Sequence, residues 1–355
     1  MLSNLHIGNF RAFKPLKIDK LGKINIVSGQ NNSGKTSLLE AIFLLSGAAD
    51  PGLLLNSNVI RGVTVISGSE HVVQSALWKP IFHDLDMSKA IEVTGHHFSC
   101  GEVVVRLTLE RPNLFELPLD NGKVTVGDKS QNKEAFILSY VLNGRSKANF
   151  NITLTGNTMQ VQADRTEVQI PFPATILSSR NRNSEEDAQR LGHLRQQKKG
   201  DLVVEALRVI EPRLQSLEVN TTTGSPMIWG DVGLSELVPL PVMGDGMIQL
   251  ARIVLAISTV PGGIVLIDEI ENGLHHSALP KIWQVIEKAA NQFDSQIVAT
   301  THSYECIAAA ENVFKSSSED FFLLHRIERL KTGVKCVTYD KETMGAAMQH
   351  NMEVR

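Results

Sequence analysis

Residues 29–37 read GQNNSGKTS, with two glycines, a lysine and two terminal hydroxyl side chains at fixed spacing. That order suits an anion carrying several charged oxygens. Gly29 and Gly34 leave the backbone free to wrap closely around phosphate oxygens. The successive amides of Asn31, Asn32, Ser33 and Ser37, with the start of a following helix, offer donors and positive partial charge. Lys35 has the reach to contact the β- and γ-phosphates of a nucleoside triphosphate. The hydroxyl of Thr36 suits magnesium, which keeps most of its waters. The run matches G-x-x-x-x-G-K-[ST], and it lies between an apolar strand and a helix, as that pattern requires. ATP and Mg2+ are the expected ligands, and hydrolysis the expected reaction.

Three further sets extend this chemistry. Residues 262–276, GGIVLIDEIENGLHH, place Asp268 and Glu269 directly after an apolar run. Ligands of open α/β sheets bind beyond the carboxyl ends of strands. Asp268 is expected to hold the magnesium through its water shell, and Glu269, pointing elsewhere, to polarise the attacking water. Alone, the pair reads equally well as a strand ending in two solvated acids. Residues 297–305, IVATTHSYE, put His302 beyond another strand end, where a histidine can touch the γ-phosphate or the water. A lone histidine is otherwise a surface or capping residue. Gly244, Asp245 and Gly246 precede an apolar helix. Their turn is an anion cradle or a plain helix start with Asp245 near the cap.

These residues need a scaffold. Residues 5–10, 16–18 and 24–28 read as strands, and residues 36–46 as a buried helix with Leu38, Leu39, Ile42 and Leu45 on one face. Residues 50–68 are rich in Gly, Asn and Ser and suggest a loop. Residues 72–85 have apolar side chains at helical spacing. Residues 91–176 change character: VVVRLTLE, KVTVG, FILSYVL, FNITLTG and MQVQA are alternating runs split by turns such as DNGK and LNGR, which predicts an antiparallel sheet. Residues 178–213 turn helical and charged. Strand–helix alternation resumes at residue 246 and runs to a last strand pair at residues 321–339. The order predicts an α/β core interrupted by a β-rich insert and a helical region.

The 355 residues are 42% hydrophobic and 21% charged, enough for a sizeable core. A net charge of -3 excludes a global nucleic-acid magnet. Cys100, Cys306 and Cys336 lack paired spacing, which predicts reduced thiols in a cytoplasmic protein. No apolar run reaches membrane-spanning length and the first residues do not form a signal peptide, so no membrane contact is expected. Residues 180–199 carry Arg180, Arg182, Arg190, Arg195, Lys198 and Lys199 against Glu185, Glu186 and Asp187. That is a patch for a phosphate backbone or a helix with mixed exposed charges.

Taken in order, FRAF near the start, GQNNSGKTSLLEAI, the Gly-Asp-Gly turn, IVLIDEIENGLHH and ATTHS resemble the ABC-type ATPases. Within them the chain is similar to the non-transporter branch: RecF, the structural-maintenance-of-chromosomes heads and, above all, the overcoming-lysogenization-defect ATPases, often catalogued as AAA-type. The resemblance spans residues 1–50 and 240–310, with looser support from ILSSRN and LRVIEPRL. It implies a P-loop head in two parts, residues 1–176 and 236–355, around a helical arm at residues 177–235. It also implies head-to-tail pairing of two heads, with ATP on Lys35 and Thr36 of one and residues 244–246 of the other. His302 matches the switch histidine, residues 271–275 the loop crossing the dimer interface, and Arg11 an arginine near the nucleotide. Gly244 departs from the family's usual serine, which removes a hydroxyl donor and implies slow turnover. No glutamine marks a Q-loop. About 50 residues follow His302, without the acidic spacing of the group's nuclease domain. The implied function is an ATP-driven switch that controls a partner effector, a nuclease or toxin, in prokaryotic antiphage defence. Two rivals stay open: a DNA repair clamp, and an assembly scaffold that scarcely hydrolyses ATP. Residues 344, 348 and 352, all Met, predict a packing helix or an oligomer contact.

Overall fold

The computed structural model describes residues 1–47, 50, 52–54, 61, 76–110, 134–155, 158–164, 171–178, 183–221, 224–318, 320–331, 333–349 and 354. The chain opens with a hairpin, β1 (Leu2–Phe10) and β2 (Phe13–Ile18), in which Phe10 pairs with Phe13. Arg11 and Ala12 make the tight turn, and Arg11 takes a left-handed φ of 48°. β3 (Ile24–Ser28) follows, buried at every position, as a strand covered on both faces must be. It leads through the Gly-rich turn into α1 (Lys35–Ser46).

The antiparallel expectation holds for the described strands. β4 (Ile91–His97), β5 (Gly101–Glu110), β6 (Ala135–Leu142), β7 (Arg145–Thr155) and β8 (Thr158–Asp164) extend the first hairpin into a sheet ordered β2-β1-β4-β5-β6-β7-β8. The LNGR turn links β6 and β7, with Asn143 and Gly144 both at positive φ, as a two-residue hairpin turn demands. The KVTVG and DNGK segments lie outside the described residues, as does most of the loop expected at 50–68.

β9 (Ala174–Leu177) leaves this sheet for the other one. α2 (Ser184–Gln196) and α3 (Asp201–Leu207) come next, then a small sheet of β10 (Ser216–Asn220), β11 (Met227–Asp231) and β12 (Val238–Pro239). The strand–helix alternation follows: α4 (Asp245–Thr259), β13 (Ile264–Ile267), α5 (Leu279–Gln292), β14 (Gln296–Thr300), α6 (Tyr304–Phe314), β15 (Phe322–Leu330), β16 (Gly333–Tyr339) and α7 (Lys341–Gln349). Their sheet runs β16-β15-β3-β14-β13-β9 and is parallel except for β16.

α1 lies between the two sheets. Leu38, Leu39, Ile42 and Leu45 pack with Leu5 and Val93 of one sheet and Leu266 and Val298 of the other. A helix enclosed in this way is apolar nearly all round. A second core fills the opposite face of the parallel sheet, where α2 to α6 cover it. Gln296 ties the layers together at the amino end of β14. Its Oε1 accepts from the Leu2 amide (2.7 Å), and its Nε2 donates to Leu2 O (2.8 Å) and Gly22 O (2.7 Å).

One expectation needs correction. Residues 72–85 do not form a single helix over their described part. Lys79–Ile81 and His83–Leu85 are separate 3-10 turns. Pro80 lacks an amide to donate, and Asp84 and Leu85 both stand at positive φ. α7 buries Met344, so that methionine packs inward. Among the described residues, no helix is long and apolar enough to cross a membrane.

Candidate functional site

The carboxyl ends of β3, β13 and β14 lie side by side, and the predicted residues gather there. At the end of β3 the chain turns through Gly29, Asn32 and Gly34, all at positive φ. Gly34 is required twice over. Its φ is 109°, and a Cβ there would lie 2.7 Å from Phe13 Cε1. The FRAF hairpin therefore packs directly on the turn.

Lys35 Nζ donates to the carbonyls of Gly29 (2.7 Å) and Gln30 (2.9 Å). Burial pulls its ammonium down to about 8, against the opposing pull of Asp268, Glu271 and Glu269. Thr36 Oγ1 stands 3.3 Å from Asp268 Oδ1 and 3.4 Å from Oδ2. Two oxygen side chains thus converge from β13 and α1, the donor type that a hard divalent cation prefers.

Thr300, at the end of β14, links the two acids. Its hydroxyl donates to Asp268 Oδ1 (2.7 Å) and accepts from the Glu269 amide (2.8 Å). Glu269 has a φ of 52°, so the backbone reverses there. His302 is fixed through its main chain, whose amide donates to Glu271 Oε1 (2.7 Å). An open cleft of about 820 Å³ is lined by Arg11, Lys35, Thr36, Glu269 and His302, along with Asn31, Asn32, Gly34 and Ser37. Ser33 is buried beneath it.

Residues 244–246 are not part of this cleft. They start α4, with Gly244 at φ 106° and open space where a Cβ would stand. The turn leans on the loop after β13: a Cβ on Gly246 would lie 3.1 Å from Gly273 O. Gly244 and Asp245 are exposed, and so is nearby Val242, at 73%.

Sequence reasoning gave no site role to Thr300, Glu40 or Arg61, and gave Glu271 only a place in the interface loop. Thr300 and Glu271 act through contacts that only the fold creates. Glu40 is a carboxylate within an apolar helix, and that mismatch was a signal: a buried acid requires partners. It has two, Arg11 Nε at 2.6 Å and Arg61 Nε at 2.8 Å. Of the basic segment, Arg180 and Arg182 lie outside the described residues. Arg190 pairs with Glu186 and Arg195 with Glu218, each at 2.6 Å, which cancels part of the local positive charge.

This phosphate-loop geometry on a parallel sheet, with an α1 wedged beneath a second sheet, is that of a P-loop ATPase of the ABC type. The chain belongs to the family described as "AAA domain, putative AbiEii toxin, Type IV TA system", whose model matches residues 24–308. A curated relative, the "ATP/GTP phosphatase" of Helicobacter pylori, is 26% identical over 353 residues and covers 89% of both chains. The "DNA replication and repair protein RecF" of Idiomarina loihiensis is 50% identical over 44 residues, 12% of each chain. Among solved structures, an Smc head bound to the C-winged helix domain of ScpA superposes with a TM-score of 0.56 at 15% identity, over 98% of this chain and 99% of that one. The Smc head from Pyrococcus furiosus, with an extended coiled coil and bound to the C-terminal domain of ScpA, gives 0.54 at 13% identity, over 99% of both. At such identities the superpositions show the fold.

Proposed function

We propose that this ATPase is a cytoplasmic switch subunit whose heads pair head to tail around ATP and whose state controls a partner effector. ATP lies over residues 29–37 with its β- and γ-phosphates against Lys35. Thr36 and Asp268 would hold magnesium, which would neutralise phosphate charge when bound. Glu269 orients a water and takes its proton as the oxygen attacks the γ-phosphorus. The bond to the bridging oxygen breaks, and ADP leaves with the electron pair. His302 contacts the γ-phosphate region, and Arg11 the nucleotide.

The observation that carries the pairing is the position of residues 244–246. They offer a helix N-terminus at an exposed surface, apart from the cleft that collects Lys35, Glu269 and His302. A second copy brings that turn over the phosphates. Glycine at 244 supplies no hydroxyl there, which fits slow turnover. A role beside a second component is in keeping with the family's description as a putative toxin of a Type IV TA system; a nuclease or toxin as that partner, in antiphage defence, is what the sequence resemblance implies. The Smc heads solved with a bound ScpA domain show a partner on the same fold in those proteins.

Mixing tests the pairing. Lys35→Ala and Gly244→Arg each spoil both sites of a homodimer. An equal mixture leaves one intact site in each mixed dimer, so about a quarter of wild-type turnover returns. A mixture as inactive as its components, together with a monomer mass for Glu269→Gln in ATP, refutes the head-to-tail arrangement. Effector control predicts a protein retained on Glu269→Gln with ATP and released from Lys35→Ala.

A further inference from the structure

Glu40 lies five residues beyond Lys35 on α1, with its side chain wholly buried. It faces two guanidiniums from distant parts of the chain. Arg11 comes from the β1–β2 turn, and its Nε lies 2.6 Å from Glu40 Oε2. Arg61 is bidentate, with Nε 2.8 Å from Oε1 and Nη2 3.1 Å from Oε2, and Nη2 also donates to Ser37 Oγ at 3.0 Å. Bidentate arginine–carboxylate pairs fix direction as well as distance. Both arginines line the cleft that holds Lys35 and Thr36.

The charges do not balance. One carboxylate serves two guanidiniums, and an arginine does not release its proton near neutral pH. Within this triad the guanidiniums outnumber the carboxylate, and an exposed Asp84 lines the same cleft. Burial draws the Arg11 guanidinium down to about 10, Glu40 opposes that, and Arg61 adds to it. The two cations therefore repel each other across an acid that holds both. Exposure differs as well: the Arg11 side chain is 6% exposed and that of Arg61 37%.

We propose that Glu40 is a positioning residue for nucleotide binding, holding Arg11 and Arg61 side by side so that both guanidiniums face the polyphosphate on residues 29–37. Without the carboxylate, two like charges share one wall and splay apart. With it, the anion meets a preset pair. Ser37, beside Thr36, registers Arg61 against the start of α1. The inference rests on the reading that phosphates lie over residues 29–37.

Glu40→Gln keeps the size and one acceptor while removing the charge. The expected result is a KM for ATP raised about tenfold with kcat within about threefold, because ground-state anion binding is what is lost. The ratio of ATP to AMP affinity, read with a fluorescent nucleotide, falls in parallel. A merely structural role would lower thermal stability and leave that ratio alone. Arg61→Met raises KM about fivefold, and adding Glu40→Gln to it raises KM little more. An unchanged KM and an unchanged ATP to AMP ratio in folded Glu40→Gln overturn the proposal. If that variant does not fold, an unchanged KM in Arg61→Met overturns it. Lys35→Ala separates the two readings. If it binds ATP as the wild type does, the phosphate position itself is wrong. If it loses ATP while Glu40→Gln does not, only the role of Glu40 falls.

Discussion

Phe13 and Gly34 share one contact surface: the Phe13 ring fills the space where a Gly34 side chain would stand, 2.7 Å from Cε1 and 2.8 Å from Cζ. The hairpin before β3 and the turn after it are thereby locked to each other. Gly34→Ala is expected to lose ATP hydrolysis and about 1–3 kcal/mol of stability, from left-handed strain and the clash. Phe13→Ala removes the two closest contacts, leaving the backbone strain and Ala12 Cβ at 3.0 Å, so the double variant stays inactive. Phosphate release and thermal melts check this; recovery of activity in the double variant would show that the φ of 109° is not limiting.

Thr300 gives one hydroxyl to two main features of the site, the Asp268 carboxylate and the Glu269 amide. Thr300→Val keeps the shape and removes both bonds. Turnover is expected to fall about tenfold or more, with kcat and kcat/KM falling together. Steady-state kinetics at saturating ATP decide the matter, and an unaltered kcat speaks against a role for Thr300 in placing the acids.

Lys35 titrates at about 8 because burial disfavours its charge. Its ammonium is present below that pH and lost above it. kcat/KM, which reports the free enzyme, is expected to fall as pH rises through about 8, while kcat holds, because bound phosphates keep the lysine charged. A kcat/KM profile flat to pH 9.5 would contradict the assignment, that upper limit lying about 1.5 pH units above the lysine.

Asp187, on α2, faces Arg252 of α4 at 3.6 Å and Arg190 at 3.8 Å. Burial raises its carboxyl to about 6, against Arg252 and Arg190 and together with the repulsion of Glu186. The folded state therefore holds this proton more tightly than the unfolded chain does. Its contribution to stability is greatest below the ordinary carboxylate range and declines as pH rises to about 6, then levels off. Thermal melts from pH 4 to 7, compared with Asp187→Asn, isolate that slope; an identical profile in the variant assigns the slope to other groups.

Much of the fold was legible because its signals are local. Alternation marked β5 to β8, and the Asn143–Gly144 turn announced its own hairpin. The strand-turn-helix around Lys35 and the acids after β13 each carry their meaning within a dozen residues. What was not legible depends on contacts between distant segments. Arg11, Glu40 and Arg61 meet because a hairpin, a helix and a later segment converge. Thr300 looked like a strand residue until β14 aligned with β13. Residues 79–85 misled because apolar spacing resembled a helix, while Pro80 and the two left-handed residues ruled one out. That the first hairpin joins the antiparallel sheet while β3 joins the parallel one leaves no mark in either strand's composition.

Gln296 gives these two sheets a mechanical character. Its three bonds to Leu2 and Gly22 sit at the amino end of β14, the end opposite the phosphate loop. With the Phe13–Gly34 contact at the other end, the two plates are riveted at both. Rocking of one sheet over the other is therefore restrained at the base by Gln296 and beside the cleft by Phe13, which keeps the phosphate loop in register with the first hairpin. Hydrogen exchange should find the Leu2 amide among the slowest in the head, and Gln296→Ala should free it without touching any group that meets the nucleotide.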